Sequence, residues 1–432
     1  MEDLVISDIY HYAPEGSIIN IFKKTEITTH SIEINGKWVN KGEAGCGKII
    51  VRNVTDFSFI SQVRSVQHWL VYMAESQAVP STKEAGISHI MDIATNSCNF
   101  DEILVTWEHC LRPDAKVKHV AIVEKLREPS FCVRSIRDGD HDFSSLDVSR
   151  KLGEAILTKT KWTVDLCNMD FEVVAFILSD TVLIGMNIPT MSPPFLKSRL
   201  PGEIRPPVIP SGLTSGLRPS TAFLLIMLAK PEPGDVLVDA MCGCGATFIE
   251  AAYSHKCIAL GGDVDCDLQF TLRESMQLAK EMSKNTAIAE LCWWGAPKLP
   301  VRDGTVDIVV LDLPFGKVSK KVPKFYARAR VPKHVTELAR VLRPGSGRCV
   351  LLVQSHQHLV SCLDSVYFSQ ITITGVNIGG YICSIVTAQR TERLFKESIS
   401  AELNEGTAVD LAETTNVGEK RCAAYLSASS EN

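Results

Sequence analysis

The sequence predicts an α/β fold, a doubly wound and mostly parallel sheet closed by a C-terminal antiparallel hairpin, with an α+β module in front of it. Three observations carry this. Apolar runs at 236–241, 259–264, 306–311 and 348–354 alternate with segments of helical length, the rhythm of parallel strands joined by crossover helices. Two further strand-like runs, 368–378 and 381–389, are separated only by Gly379-Gly380, a tight-turn signal. The stretch 196–215 holds four prolines and no periodicity, so it reads as a linker between the two parts.

Upstream of the linker, 48–53 and 171–185 read as strands, and 58–75 and 145–157 as helices. Downstream, 222–229 and 248–256 read as helices. Val331, Val335, Leu338, Ala339 and Leu342 have helical spacing and stop at Arg343-Pro344-Gly345. From about Ser398 the chain is polar and rich in Glu, Thr, Ala and Ser; a disordered tail is expected.

Bulk properties narrow the function classes. The 432 residues exceed one ordinary core. A 45% hydrophobic, 22% charged chain of mean hydropathy +0.07 is globular in composition, and no apolar run approaches the roughly 18 to 20 residues of a membrane span. The first residues lack the pattern of a signal peptide, which points to the cytosol or nucleus. The 14 cysteines contain no C-x-x-C, so neither zinc nor a disulfide framework is indicated. A formal net charge of -5 leaves room only for local basic patches. One such patch is Arg150, Lys151, Lys159 and Lys161 with Trp162, a candidate RNA contact and equally a solvated helix face.

A nucleoside site is legible in 236–247. There an apolar strand runs through Asp239, Ala240 and Met241 into Cys242-Gly243-Cys244-Gly245 and then a helix. Gly243 and Gly245 let backbone approach a ligand closely, although a turn needed only for strand–helix packing would use the same residues. Asp239 is placed to accept from a ligand amino group. Asp263, closing the next strand about 20 residues on, is placed to accept from ribose hydroxyls. An acid just before the loop repels the pyrophosphate of a dinucleotide but suits the cationic S-adenosylmethionine. Arg218 and Ser220, at the start of the next helix upstream, suit capping and equally suit holding a ligand's polar end.

The chemistry is carried by Asp312-Leu313-Pro314-Phe315, which ends an apolar strand at the edge where open α/β sheets bind ligands. An exocyclic amine is a poor nucleophile because its lone pair is delocalised into the base. Asp312 and a backbone carbonyl near Pro314 would orient that lone pair, and Phe315 would stack on the base. An isolated Asp-x-Pro is also an ordinary turn.

On these residues the chain resembles the THUMP-domain guanine-N2 RNA methyltransferases. The matching pieces are 216–222, 239–245, 299–317 (ending in Lys317), 347–354 and 376–380, with weaker ones at 47–75, 161–173 and 182–186. The resemblance implies a ferredoxin-like region over 1–125, divergent before Gly47, then a THUMP domain over 126–192 and a linker over 193–215. A class I, Rossmann-like methyltransferase domain over 216–395 and a tail over 396–432 complete it. It implies methyl transfer from S-adenosyl-L-methionine to N2 of a guanosine in tRNA, a THUMP module gripping the acceptor end, and a small zinc-binding activator subunit as heterodimer partner. By position, Asp312, Pro314 and Phe315 form the catalytic set, and Asp239, Met241, Gly243, Gly245, Asp263, Arg218 and Ser220 the cofactor set. Lys159, Lys161, Trp162 and Lys317 face RNA, and no metal is held. Where relatives carry Trp-Asp after the third strand, this chain has Trp293-Trp294-Gly295. The alternatives are the same chemistry on small nuclear RNA and a catalytically silent RNA-binding subunit.

Overall fold

The computed structural model describes residues 2–13, 15, 17–21, 31–34, 37–40, 49–52, 58–61, 63–66, 68–107, 129–167, 169–178, 180–188, 217–264, 273, 276, 288–313, 324–363, 365–378 and 381–396. The chain divides into two compact units. One comprises Ile9–Ile18 and Val51–Ile204, the other Met1–Asp8, Ile19–Ile50 and Arg205–Asn432. The expected linker and tail lie almost wholly outside the described residues. No described helix is long and apolar enough to cross a membrane.

The chain opens with α1 (Glu2–Tyr12), β1 (Ile18–Ile21), the hairpin β2 (Ser31–Ile34) and β3 (Lys37–Asn40), and β4 (Ile49–Arg52). The first unit continues with β5 (Leu70–Ser76), α2 (Lys83–Asn96), α3 (Phe100–Thr106), β6 (Ser130–Asp138), α4 (Ser145–Thr160), β7 (Thr163–Val164), β8 (Phe171–Leu178) and β9 (Thr181–Asn187). Its sheet runs β5-β9-β8-β6-β7. Ser144 and Asp147 close a capping box at the start of α4, and Lys161 ends the helix at φ 65°.

One expectation is corrected, and one is refined. Residues 58–75 are not a helix: a 3₁₀ turn at Ser58–Ser61 precedes strand β5. A register shift between Tyr72 and Ala74 brings Met73 and Ala74 both inside, so the period of two is hidden. The run 171–185 is two antiparallel strands, with Leu178 opposite Thr181. Both are buried nearly throughout, and the polar Ser179-Asp180-Thr181 at their junction marks where one strand ends and the next begins.

The second unit holds α5 (Pro219–Ala229), β10 (Val236–Asp239), α6 (Ala246–Ser254), β11 (Ile258–Asp263), β12 (Ile288–Trp293), β13 (Ile308–Asp312), α7 (Lys324–Val341), β14 (Arg348–Val353), α8 (Gln357–Leu363), β15 (Phe368–Ile378) and β16 (Tyr381–Arg390). Its seven strands lie in the order β12-β11-β10-β13-β14-β16-β15. The first five are parallel, and the terminal hairpin adds β16 antiparallel to β14. This is the expected α/β class, and the order reverses between β10 and β13, the switch point where such sheets bind ligands. Helix α7 begins at Lys324 rather than near Val331 and carries Pro332 within it.

Alternation along the strands divides two apolar layers. Leu237, Ala259, Ala289, Ile308 and Val310 pack with α5 and α6, and Val238, Val309 and Leu311 pack with α7 and α8. Between them, β11 carries Gly261 and Gly262 back to back. A methyl on Gly261 would sit 2.5 Å from the Phe248 ring of α6, and one on Gly262 would sit 2.4 Å from the Trp294 indole. Gly262→Ala is therefore expected to destabilise the unit by about 1 to 3 kcal/mol, while Gly375→Ala, whose added methyl meets nothing within 4 Å, stays near neutral. Urea unfolding of the two variants checks the contrast.

Candidate active site

Strands β10, β11, β12 and β13 end side by side in Asp239, Asp263, Trp293 and Asp312. These four lie two or four residues beyond Leu237, Ala259, Ala289 and Val310, so they share the α5 and α6 side of the sheet. Three carboxylates and one indole thus gather on one edge of the molecule.

Asp239 is buried. Its Oδ1 accepts from the Met241 amide at 3.2 Å, and its Oδ2 accepts from the Thr247 hydroxyl. The glycine loop is held by the next strand: the Gly243 amide donates to Asp263 Oδ2 at 2.9 Å, and the Cys242 amide to the Gly262 carbonyl at 3.0 Å. Gly243 and Gly245 adopt φ of 51° and 84°, a region that L side chains rarely enter. A methyl on Gly243 would meet nothing within 4 Å, so the backbone there borders open space. Below the loop, the Trp294 indole N–H donates to the Ala240 carbonyl at 3.2 Å. The backbone of Leu217 lies near the Cys244 sulfur, which brings the start of α5 against the loop. Ser220 is buried there, and Arg218 occupies the N-cap position without a side-chain capping bond.

Burial dominates the electrostatics. Desolvation holds the Asp239 carboxyl well above its ordinary pKa, with Asp312 and Asp263 adding repulsion and the Met241 amide opposing it. Desolvation also pushes Asp312 up to about 7. Asp312 Oδ1 is buried with no hydrogen-bond partner among the described residues, an unmade bond that a donor from outside would satisfy. Cys383 of β16 is near enough for the Asp312 charge to help raise its thiol.

Sequence reasoning brought Asp239, Met241, Gly243, Gly245, Asp263 and Asp312 to one edge, where the structure places them. Pro314, Phe315 and Lys317 lie outside the described residues. It missed Thr247 and Cys383; a hydroxyl eight residues past Asp239 at the helix start was the available signal for the first. The basic cluster is a correction. Trp162 is 5% exposed and meets Phe100, Phe131 and Phe171 edge-on, so it offers no face to a base. Lys159 donates to the Thr95 and Cys98 carbonyls and lies over the Phe100 ring. Lys161 is exposed at the helix end. A cavity of about 220 Å³ between α7 and α8 contains none of the site carboxylates.

Two parts of the chain match known protein families. Residues 210–383 match the family described as UPF0020, RMKL-like, methyltransferase domain, and residues 105–187 match the THUMP domain. The tRNA (guanine(6)-N(2))-methyltransferase THUMP3 of Mus musculus is 30% identical over 328 residues, 71% of this chain and 61% of that protein. The U6 snRNA (guanine-N(2))-methyltransferase THUMPD2 of Bos taurus is 31% identical over 216 residues, 49% of this chain and 38% of that protein. The chain therefore spans less than two thirds of the length of the curated relatives it matches. Among solved structures, TrmN from Thermus thermophilus shares the fold, with TM-score 0.55 and 20% identity, covering 90% of this chain and 96% of that one.

The Asp312 environment has a pH signature. Its carboxyl binds a proton more tightly folded than unfolded, so stability falls as pH rises from the ordinary 3.8 towards about 7. Asp312→Asn is expected to raise Tm more at pH 8 than at pH 5. Equal shifts at both pH values would remove burial of this carboxylate as the cause.

Proposed function

We propose that this chain, a THUMP domain followed by a UPF0020-type methyltransferase domain, is an S-adenosylmethionine-dependent enzyme that forms N2-methylguanosine in tRNA. The observation that carries the reading is Asp312: a carboxylate at the sheet's ligand edge, one buried oxygen of which has no partner among the described residues, beside a glycine loop with no described atom within 4 Å of a methyl added at Gly243. The names of the relatives supply the substrate class.

The residues fit the cofactor. Asp239 and Asp263 stand where an amino group and a ribose need acceptors, the Gly243 and Gly245 backbone admits close approach, and Arg218 and Ser220 lie beside the loop. When bound, S-adenosylmethionine supplies an electrophilic methyl group. The chain's part is to position and polarise. Asp312 accepts a hydrogen bond from the exocyclic amine, turns its lone pair towards the methyl group, and, titrating near 7, is suited to receive the proton the nitrogen loses. Pro314 and Phe315 supply a carbonyl acceptor and a stacking ring in this reading, and Lys317 and Lys161 are its RNA-contacting cations. The THUMP domain grips the acceptor end, a small zinc-binding activator subunit completes the enzyme, and the reaction belongs to the cytoplasm. Small nuclear RNA is the second reading, favoured by the 31% identity to the U6 enzyme.

The test is transfer of labelled methyl to total tRNA from a strain lacking the modification, with and without the activator, followed by nucleoside analysis. N2-methylguanosine in tRNA is the expected result. Label in U6 RNA alone selects the second reading, and no label without cofactor binding leaves an RNA-binding module. Asp312→Ala is expected to lower turnover by at least about 100-fold while leaving S-adenosylhomocysteine affinity within a fewfold. Near-parental turnover would remove Asp312 from the chemistry.

A further inference from the structure

At the outer end of the carboxylate row, the edge strand β12 finishes in an exposed tryptophan. Trp293 stands opposite Asp263 in the parallel register and is 45% exposed, beside Val264 at 65%. Large apolar side chains left open side by side at a ligand edge are a binding feature more often than a packing one. Its indole is fixed, because Nε1–H donates to the Val264 carbonyl at 3.2 Å, laying the ring across the end of β11 next to Asp263. The neighbouring Trp294 is buried and tied to the Ala240 carbonyl, so the two tryptophans do different work. Beyond them Gly295 leaves a gap: an added methyl would meet only Pro297 and Val264, each at 3.8 Å.

A nucleoside whose ribose is held by Asp263 and whose other end lies along the glycine loop must send its base away from that loop, towards β12. The surface it meets there is the Trp293 ring, the Val264 side chain and the gap at Gly295. We infer that Trp293 is the platform on which the cofactor's adenine stacks, and that this site reads the base by its π-face rather than by its exocyclic amine. The inference rests on the cofactor reading above. Its second half follows from the residues after the strand, Trp294-Gly295-Ala296-Pro297, which bring no acceptor side chain to the base. Stacking tolerates any purine, since every base has a π-face, whereas an acceptor built for an amine rejects an analogue lacking it.

The experiment measures S-adenosylhomocysteine binding to the full chain by calorimetry and by indole fluorescence. Trp293→Ala is expected to weaken binding by roughly tenfold, within the range of base–aromatic stacking, and Trp293→Phe to stay within about threefold. Binding quenches tryptophan fluorescence in the parent, and the quench is lost in Trp293→Phe although affinity is kept, a signature that a purely structural role would not give. The hypoxanthine analogue, S-inosylhomocysteine, is expected to bind within about threefold of the adenine form. Unchanged affinity in a folded Trp293→Ala overturns the platform. A loss of more than about thirtyfold for the inosyl analogue overturns face-only reading. Absence of S-adenosylhomocysteine binding to the parent removes the cofactor reading itself, and this inference with it.

Discussion

The closeness of strand β11 to its neighbours on both faces is the constraint on which the site depends. Gly261 and Gly262 give up their side chains so that Phe248 can press from the α6 side and Trp294 from the other. Each contact serves a neighbouring element. Phe248 belongs to the helix that follows the glycine loop, and Trp294 holds the Ala240 carbonyl where the loop begins. The loop in turn leans on β11 through Cys242 to Gly262 and Gly243 to Asp263. A wider second strand would move the loop, the acid that closes it and the helix start together, because a close-packed interior transmits displacement rather than absorbing it.

Around that constraint the sheet edge concentrates negative charge. Burying carboxylates is unfavourable unless they are paired, and here the polar partners of Asp239 are one amide and one hydroxyl while Asp312 Oδ1 has none among the described residues. In the first unit, by comparison, buried Glu172 is paired with Arg134 at 2.8 Å and bonded by Asn187. Buried Arg390 donates through Nε to the Ala339 carbonyl, while its Nη2 has no partner among the described residues. What sets this edge apart is three carboxylates at neighbouring strand ends, a charge that a cationic ligand or an amine donor would compensate.

The first unit shows the opposite economy. Its aromatic residues turn inward, with Trp162 among Phe100, Phe131 and Phe171, and the ammonium of Lys159 ties α4 to the α2–α3 connection. A basic and aromatic cluster in sequence became core and clamp in three dimensions. On the proposed RNA-binding reading, contact by this unit would rest on its exposed cations, such as Lys161.

The sequence by itself determined the α/β order, the terminal hairpin, the glycine loop and the acids at 239, 263 and 312. All of these rest on local signals: strand runs that end in a turn, and residues whose conformational freedom or charge is informative at fixed spacing. It misread 58–75 as a helix, where a bulge erases the period that local reading needs, and read 171–185 as strand without resolving its turn. Tertiary structure alone decided that Trp162 is core, that Trp293 is exposed while Trp294 is buried, and that Asp312 Oδ1 has no partner among the described residues. Burial is set by which distant segments arrive on each face, and a carboxylate's pKa follows from that burial; neither quantity belongs to a residue or to its neighbours in the chain.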